Sequence, residues 1–354
     1  HNRRVGPPTT AEMVEIDARR WFGAAVSSCF LIVTLGSETS NRIAVFPNLE
    51  ATAPTRTMGV VRGWFASDYE TAAAHEYALG GCPLAWRQGV KHDAAAVVEL
   101  TAEGPAAPFR NGLGEVVDVE PEWLFPLVKG ADLKRPSRER PRRALIVTQR
   151  KLGDDTNAIA ATAPRLWAYL NTHAERFARR RSSIYEGRPP FAMFGVGPYS
   201  FAPYKVAVAG VHRPPRFRAL GMVAGRPTVL DDTCYLLSCR SAAEAAVLAA
   251  LGNDPITLNL LRALAAPDSK RPVTKAVLQA IDPAAVLARA DRRAVVARGA
   301  EALVEDLQSP EPTPAAAIES AVEALALLLS TSSGPTLGRS ADEPETPPRS
   351  TEET

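Results

Sequence analysis

The stretch SSIYEGRPPFAMFGVGPYSFAPYK, residues 182–205, combines Phe and Tyr rings with three glycines and four prolines. Its proline and glycine content is too high for a helix, and its ring content is too high for a disordered linker. Three consecutive arginines, Arg179, Arg180 and Arg181, come directly before it. The stretch therefore predicts a rigid loop, held by its own aromatic side chains, behind a basic helix end.

The rings of this aromatic loop have two interpretations. Large rings bury well, so they can form a local core that fixes the loop, with the tyrosine hydroxyls left in water. The alternative is a platform on which single-stranded bases stack. The rings concerned are Phe191, Phe194, Tyr199, Phe201 and Tyr204.

The segment around the loop is strongly basic, although the whole chain carries a net charge of only +2. Residues 134–226 hold 16 arginines and 3 lysines against 5 acidic residues, an excess of 14 positive charges. Such an excess predicts a polyanionic partner, and arginine suits bidentate contacts to phosphate and guanine. The alternative is a solvated surface that pairs with acidic residues elsewhere.

The composition sets further limits. A chain of 354 residues predicts two or three domains, and its longest apolar runs are too short to span a membrane. No signal peptide is expected at its start. The cysteines form no CxxC pair, which predicts buried, reduced thiols of a cytoplasmic protein and no metal site. They are Cys29, Cys82, Cys234 and Cys239.

Apolar patterning predicts a mixture of strands and helices. Strands are expected at 29–35, 43–46, 144–148, 205–211 and 233–239, and residues 94–100 fit either a strand or a short helix. Helices are expected at 68–78, 164–181, 241–251, 256–265, 273–281, 283–307 and 314–330, before a disordered tail at 331–354.

Two short motifs imitate the chemistry of base methylation without its required residues. GRPPF, residues 187–191, places Arg188 where a residue that accepts from the base amine is needed, and arginine cannot accept. FGVG, residues 194–197, is followed by Pro198 where a cofactor-binding turn would begin a helix. No phosphate-binding loop, nucleophile elbow or His/acid cluster is present either. The residues predict a nucleic-acid-binding part with no catalytic centre.

Five stretches, in this order, resemble the C-terminal part of adenine-N6 DNA methyltransferases of bacterial restriction-modification systems. They are IDARRWFGAAVSSCFLIV (16–33), WRQGVKHD (86–93), NGLGEVVDVEPEWLFPLVKGADL (111–133), the run from RKLGDDT to KVAVAG (150–210), and DDTCY with DSKRPVT (231–235 and 268–274).

The resemblance implies an α+β chain with the terminal strands of a Rossmann-like methyltransferase sheet, a mixed α/β target-recognition domain and a helical C-terminal extension. It also implies that S-adenosylmethionine serves the complete enzyme, while this chain holds neither cofactor nor catalytic residues. The implied parts are a catalytic remnant at 1–50, a connecting region at 51–128, a DNA target-recognition domain at 129–282, a helical extension at 283–330 and the tail at 331–354.

Candidate DNA contacts lie in several segments. In WRQGVKHD, Arg87, Lys91 and His92 surround a glycine and offer donors to phosphate or guanine, with Asp93 to orient His92. The alternative is a surface turn with Trp86 as its core anchor. Lys129 either contacts the DNA backbone or is merely exposed.

Arg150 and Lys151 follow a strand, where Asp154 and Asp155 either leave them free for DNA or cap the turn. Arg179, Arg180 and Arg181 either track phosphates or compensate the helix dipole. The remaining candidates are hydroxyl donors, further cations and one loop ring. They are Ser182, Tyr185, Tyr199, Lys205, Lys270 and Arg271.

Three functions remain open at this point. The first is recognition of duplex DNA that presents a flipped adenine to a catalytic domain upstream of this chain. The second is a non-catalytic specificity or scaffold protein that docks on a separate methyltransferase or nuclease subunit. The third is a complete enzyme with unfamiliar catalytic residues. No membrane partner is expected.

Overall fold

The computed structural model describes residues 8–35, 40–104, 106–266 and 269–331. It has the α+β character that the sequence predicts, with several small mixed sheets and surrounding helices. Asp268 and nearly all of the predicted disordered tail, residues 332–354, lie outside the described ranges.

The strands are short, apart from the first two. In chain order they are β1 (Pro8–Asp17), β2 (Ser27–Leu35), β3 (Arg42–Phe46), β4 (Arg56–Val61), β5 (Trp64–Ala66), β6 (Arg87–Gln88), β7 (Glu99–Thr101), β8 (Leu124–Val128), β9 (Arg143–Ile146), β10 (Tyr204–Ala209), β11 (Phe217–Leu220), β12 (Met222–Val223), β13 (Arg226–Pro227), β14 (Val229–Leu230) and β15 (Cys234–Cys239).

The helices concentrate in the second half of the chain. The α-helices are α1 (Ala18–Phe22), α2 (Tyr69–Ala74), α3 (Ala95–Val98), α4 (Ile159–Thr162), α5 (Pro164–Thr172), α6 (Ala174–Ala178), α7 (Ala242–Gly252), α8 (Pro255–Leu264), α9 (Lys275–Ala280), α10 (Pro283–Arg289), α11 (Arg292–Glu305) and α12 (Pro314–Thr331). Short 3-10 turns lie at Glu76–Ala78, Pro121–Trp123, Gly130–Lys134, Ser137–Glu139, Thr156–Ala158, Ser183–Tyr185 and Pro198–Phe201.

Two predicted helices are each divided in two. The helix predicted over 164–181 breaks at His173, whose buried ring lies 3.0 Å from the Glu115 carboxylate, and ends at Ala178. The helix predicted over 283–307 breaks because the Asp291 carboxylate accepts from the backbone N–H groups of Arg293 and Ala294, which starts α11.

The N-terminal sheet has the order β2-β1-β3-β4-β5. β1 is parallel to β3 and antiparallel to β2, and the remaining described pairs are antiparallel. β2 is an edge strand, and four consecutive side chains on it, Phe30 to Val33, are 44–59% exposed. Because neighbouring side chains on a strand point to opposite faces, both faces of β2 are apolar and uncovered. The Rossmann-like assignment of this sheet stays a prediction.

The central sheet, β11-β10-β15-β6, is antiparallel and buried on both faces. On β10, Val206 and Val208 pack into the core that α7 and the other C-terminal helices complete. Ala207 and Ala209 point the other way, into a smaller core with Leu133. This alternation explains why β10 reads as a continuous apolar run.

The third sheet, β14-β8-β9-β7, carries the second large core. β8 and β9 are antiparallel, and β14 joins β8 in parallel. α4, α5 and α6 pack on this sheet together with the buried Phe191 and Met193 of the aromatic loop. The loop is therefore part of the core of this layer.

α12 is the one helix among the described residues with the length and apolar composition of a membrane span. Four of its side chains, Ile318, Val322, Leu325 and Leu329, are buried in the core shared with α7 and α11. Core helices commonly have such a composition, so the finding is weak evidence for a span.

The structure corrects one expectation about the cysteines. Cys82, Cys234 and Cys239 are buried free thiols, but Cys29 is exposed. It lies on β2, whose side chains are largely uncovered.

Gly252→Ala is expected to destabilise the fold by about 1–2 kcal/mol, because a Cβ there would lie 2.4 Å from the buried Phe217 ring between α7 and the central sheet. Gly80→Ala is the matched control, since nothing lies within 4 Å of its Cβ position. Urea unfolding measures both. A Gly252→Ala protein as stable as the control would contradict this packing.

Candidate nucleic-acid interface

The WRQGVKHD loop packs directly against the backbone around Asp231. A Cβ on Gly89 would be 2.1 Å from the Asp231 carbonyl oxygen, so only glycine fits there. The Gly89 N–H donates to the Cys234 carbonyl at 3.0 Å, and the Val90 N–H donates to the Leu230 carbonyl at 2.7 Å. Trp86 is buried and packs edge-on against Phe217 at 6.0 Å. The loop is therefore anchored at its start and fixed along its length.

The aromatic loop crosses the same place. A Cβ on Gly195, whose φ is +65°, would lie 2.3 Å from the Gly89 carbonyl oxygen. Lys91 and Phe194 exchange two backbone hydrogen bonds, each 2.9 Å long. The two predicted DNA-contacting loops are thus joined directly through their backbones.

Side chains from the segments that follow β9 and α6 hold the middle of the aromatic loop by its backbone. The bonds are Thr148 Oγ1 to Phe191 O at 2.8 Å, Arg180 Nη1 to Ala192 O at 2.6 Å, Met193 N to Gln149 Oε1 at 2.7 Å, and a short bond from Thr156 Oγ1 to Pro190 O. The Phe191 ring packs edge-on between Trp167 and Phe177. These contacts show that Phe191 has a core role, whereas Phe194, Tyr199, Phe201 and Tyr204 are only half-buried.

Arg180 differs from its two neighbours. Its guanidinium lies 3.7 Å from the centre of the Tyr185 ring and donates to the His92 and Ala192 carbonyls. Burial lowers the pKa of Arg180 and raises that of Tyr185. Arg180 therefore braces the loop, and these internal hydrogen bonds correct the expectation that it is a free phosphate ligand.

Arg179 and Arg181 are exposed. Arg179 pairs with Glu175 at 3.1 Å, but both side chains are largely in solvent, where such a pair is weak. Ser182 is half-buried beside them. These two arginines can turn to a phosphate at little cost.

Four titratable side chains form a network behind the WRQGVKHD loop. Glu99 lies 3.3 Å from His92 Nε2 and accepts from Lys129 Nζ at 2.6 Å, and Lys129 is also 3.9 Å from Asp231. Burial favours the neutral acid, but the bonds from His92 and Lys129 outweigh it and hold the pKa of Glu99 below its usual value. Burial raises the pKa of Asp231.

This network changes the interpretation of two predicted contacts. His92 is buried, 6% exposed, so it positions the loop through Glu99. Lys129 is about one-third exposed and keeps one side toward solvent. Asp93 lies 3.5 Å from Lys91. The sequence singled out neither Glu99 nor Asp231, although Glu99 is a lone acid at the end of an apolar run and Asp231 begins the DDTCY motif.

Segments distant in sequence meet at residues 231–233. The Asp232 carbonyl accepts from Gln88 at 2.8 Å and from Arg271 at 3.3 Å. The Gly130 N–H donates to the Thr233 hydroxyl at 3.1 Å. Arg271 is half-buried and its neighbour Lys270 is exposed. Parts of three of the five stretches that carry the family resemblance therefore converge on one short segment.

Arg150 lies over three aromatic rings. Its guanidinium is 4.7 Å from the Phe125 ring, 5.0 Å from Phe201 and 5.5 Å from Trp123. The Asp154 carboxylate accepts from the backbone N–H groups of Arg150 and Lys151, so this acid caps the turn. Lys151 is exposed on that turn. The guanidinium of Arg87 similarly lies 5.4 Å from the Tyr199 ring.

Lys205 does not lie at the surface. It is 1% exposed at the start of β10, between β11 and β15, and its ammonium donates to the Ala202 carbonyl. Burial lowers the pKa of Lys205 to about 8. The predicted phosphate contact by Lys205 is therefore wrong for this structure, because its side chain shares the face of β10 with Ala207 and Ala209, which the core around Leu133 covers.

The chain is similar in sequence to a known methyltransferase. Over 270 residues, 76% of its length, the chain is 33% identical to Type II methyltransferase M.NspV of Nostoc sp.. The chain is homologous to this methyltransferase. The matched part makes up 56% of that protein, so the chain spans about half the length of its relative. No protein-family model matches the chain.

A weak structural likeness accompanies the homology. The solved structure of the Type IIL restriction-modification enzyme MmeI in complex with DNA aligns with 93% of this chain and 44% of that one, at a TM-score of 0.42 and 10% identity. Within the described ranges, no group of three or more His, Cys, Asp and Glu side chains is arranged to hold a metal ion.

Glu99→Gln is expected to destabilise the protein by about 1–3 kcal/mol at pH 7, because it removes charge-assisted bonds to His92 and Lys129. The folded pKa of Glu99 is depressed, so its contribution is present above the ordinary value of 4.5 and is lost as pH falls through the folded value. Urea unfolding at pH 7 and pH 3.5 measures the difference, which should narrow at the lower pH.

The control is Glu50→Gln, which changes an exposed carboxylate elsewhere. A Glu99→Gln penalty that persists unchanged at pH 3.5 would refute the ionic origin of the effect.

Proposed function

We propose that this chain recognises a specific sequence in duplex DNA, as the specificity part of a restriction-modification adenine-N6 DNA methyltransferase. The observation that carries the proposal is the convergence of the WRQGVKHD loop, the aromatic loop and residues 129–133, 231–233 and 269–274, in a chain homologous to a Type II methyltransferase. A rigid surface built from loops is what base reading requires, since contacts must hold their positions.

Electrostatics supports DNA as the partner. The excess of 14 positive charges falls in residues 134–226, and Lys151, Arg179 and Arg181 of that segment are exposed. The described salt bridges leave these cations open to solvent, or paired only weakly as for Arg179. Exposed arginines and lysines on a fixed surface suit phosphate contacts that set the register of the protein on DNA.

We further propose that the flipped adenine is delivered to a catalytic domain that lies upstream of this chain or on a separate subunit. S-adenosylmethionine would bind in that domain. The glycine pair singled out by the sequence, FGVG at 194–197, leads into a 3-10 turn within the aromatic loop and does not form a strand-to-helix cofactor turn. The residues present therefore do not fit the cofactor.

The uncovered edge strand β2 supports the proposal that a further domain packs beside it. Its edge, unpaired within the described ranges, and its exposed Phe30, Leu31, Ile32 and Val33 resemble an interior strand of a larger sheet. A catalytic domain that extends this sheet would cover both faces. We also propose a cytoplasmic location, as for an enzyme that acts on the chromosome.

The second candidate is a non-catalytic specificity or scaffold protein that docks on a separate methyltransferase or nuclease subunit. The same uncovered strand favours it, because β2 can pair equally with a separate chain. The genomic arrangement distinguishes the two proposals. A catalytic half encoded in the same reading frame as this chain supports the first, and a catalytic half encoded by a separate neighbouring gene supports the second.

Arg179→Ala combined with Arg181→Ala is expected to weaken binding to every duplex by a similar factor. Each lost phosphate contact reduces the number of counterions that binding releases. The slope of log affinity against log salt concentration should therefore become less negative by about 1–2. Fluorescence anisotropy across a salt series, with labelled duplexes of different sequence, measures both effects.

Arg62→Ala combined with Arg293→Ala is the matched control, because it removes the same charge from two exposed arginines outside the basic segment. Equal weakening by both double variants would show a general charge effect. An unmodified chain that binds no duplex, or binds independently of salt, would refute the proposed function.

The 354-residue chain alone is expected to show no binding heat with S-adenosylmethionine and no methyl transfer to DNA. The longer protein that includes the catalytic half should show both. Calorimetry and transfer of a labelled methyl group make the comparison. Cofactor binding by the chain alone would instead favour a complete enzyme with unfamiliar catalytic residues.

A further inference from the structure

A short β-hairpin protrudes where the chain leaves the core between β11 and β14. All four residues of β11 are buried, as are both residues of β14, but residues 222–225 between them are exposed. Met222 is 49% exposed and Val223 is 50% exposed. Two large apolar side chains are thus held in solvent at the tip of an element that packs at both ends.

The hairpin is rigid by construction. β12 pairs with β13 through Met222 opposite Pro227 and Val223 opposite Arg226. The two turn residues, Ala224 and Gly225, both have positive φ, of 49° and 74°, as in the tight turns that match strand twist. At the base, the Thr228 hydroxyl donates to the Gly221 carbonyl at 2.7 Å.

The base of the hairpin is strongly basic. Arg226 donates to the Leu124 carbonyl at 3.1 Å, and its guanidinium lies 5.9 Å from the same Phe125 ring that Arg150 covers at 4.7 Å. Burial and the charge of Arg226 lower the pKa of Arg150. Two guanidinium groups on one ring repel each other, and an anion bound between them would relieve that repulsion. The exposed Lys151 adds a third cation.

The dimensions fit one groove of duplex DNA. Two residues per strand, at a rise of about 3.4 Å, project about 7 Å, close to the depth of about 8.5 Å of the major groove. That groove admits a two-stranded ribbon in undistorted B-DNA, whereas the minor groove, about 6 Å wide, must be widened to take one. Apolar side chains contact the thymine methyl group in the major groove, and arginines at the rim reach phosphates.

We propose that the hairpin of residues 222–227 enters the DNA major groove, with Met222 and Val223 reading base edges while Arg150 and Arg226 hold a flanking phosphate. This inference rests on the proposed function, because it names the element that supplies the sequence discrimination. The sequence pattern had singled out no residue of the hairpin itself, and had singled out Arg150 and Lys151 at its base.

The test uses the whole chain. Duplexes that it prefers are first selected from a random pool, and anisotropy then gives the ratio of affinities for selected and random duplexes. Met222→Ser combined with Val223→Ser should lower that ratio about tenfold or more, as expected for loss of a base contact, while random-duplex affinity changes less than about threefold. Val211→Ser combined with Leu327→Ser, also exposed apolar residues, should leave the ratio unchanged.

Dimethyl sulfate footprinting identifies the groove, because it reads guanine N7 in the major groove and adenine N3 in the minor groove. The unmodified chain should protect guanine N7 within the selected site, and the tip variant should lose that protection. An unchanged affinity ratio or protection of adenine N3 alone would overturn the inference and leave the proposed function standing. Selection of no preferred sequence by a chain that does bind duplex would refute sequence-specific recognition, and with it both the inference and the proposed function. Absence of salt-dependent duplex binding would refute the proposed function as well.

Discussion

The close approach of Gly89 to the Asp231 carbonyl is the constraint on which the rest of this surface depends. With 2.1 Å between that oxygen and any Cβ at position 89, the WRQGVKHD loop can lie flat on the segment after β14 only if that residue is glycine. The same compactness lets Gly195 pack on the Gly89 carbonyl and brings the aromatic loop into register. Three loops from distant parts of the sequence are thereby fixed as one rigid surface.

Charge is divided between two tasks on this surface. Buried or braced groups, such as His92, Lys129 and Arg180, use their hydrogen-bonding capacity on carbonyls and on Glu99, so they hold the loops in place. Exposed groups, such as Lys151 and Arg181, have side chains that face the solvent. This division separates positioning from contact, which a reader of DNA needs because bases are distinguished by small displacements.

The fold was predictable where local pattern decides it. Most strand and helix positions follow from apolar runs, and the anchored aromatic loop follows from its rings. Tertiary contacts decided the rest. The break at His173 depends on Glu115, and the burial of Lys205 depends on the core around Leu133 that covers its face of β10. Likewise, the sequence showed three equal arginines at 179–181, and only the positions of Tyr185 and two carbonyls distinguish Arg180.

Amide hydrogen exchange with and without excess duplex DNA tests the central claim most directly, because it locates the bound surface whatever the target sequence is. The account predicts slower exchange in residues 86–93, 150–153, 179–185 and 222–226, with α10, α11 and α12 unchanged. Protection confined to those C-terminal helices, or binding without protection of any of the four segments, would contradict it.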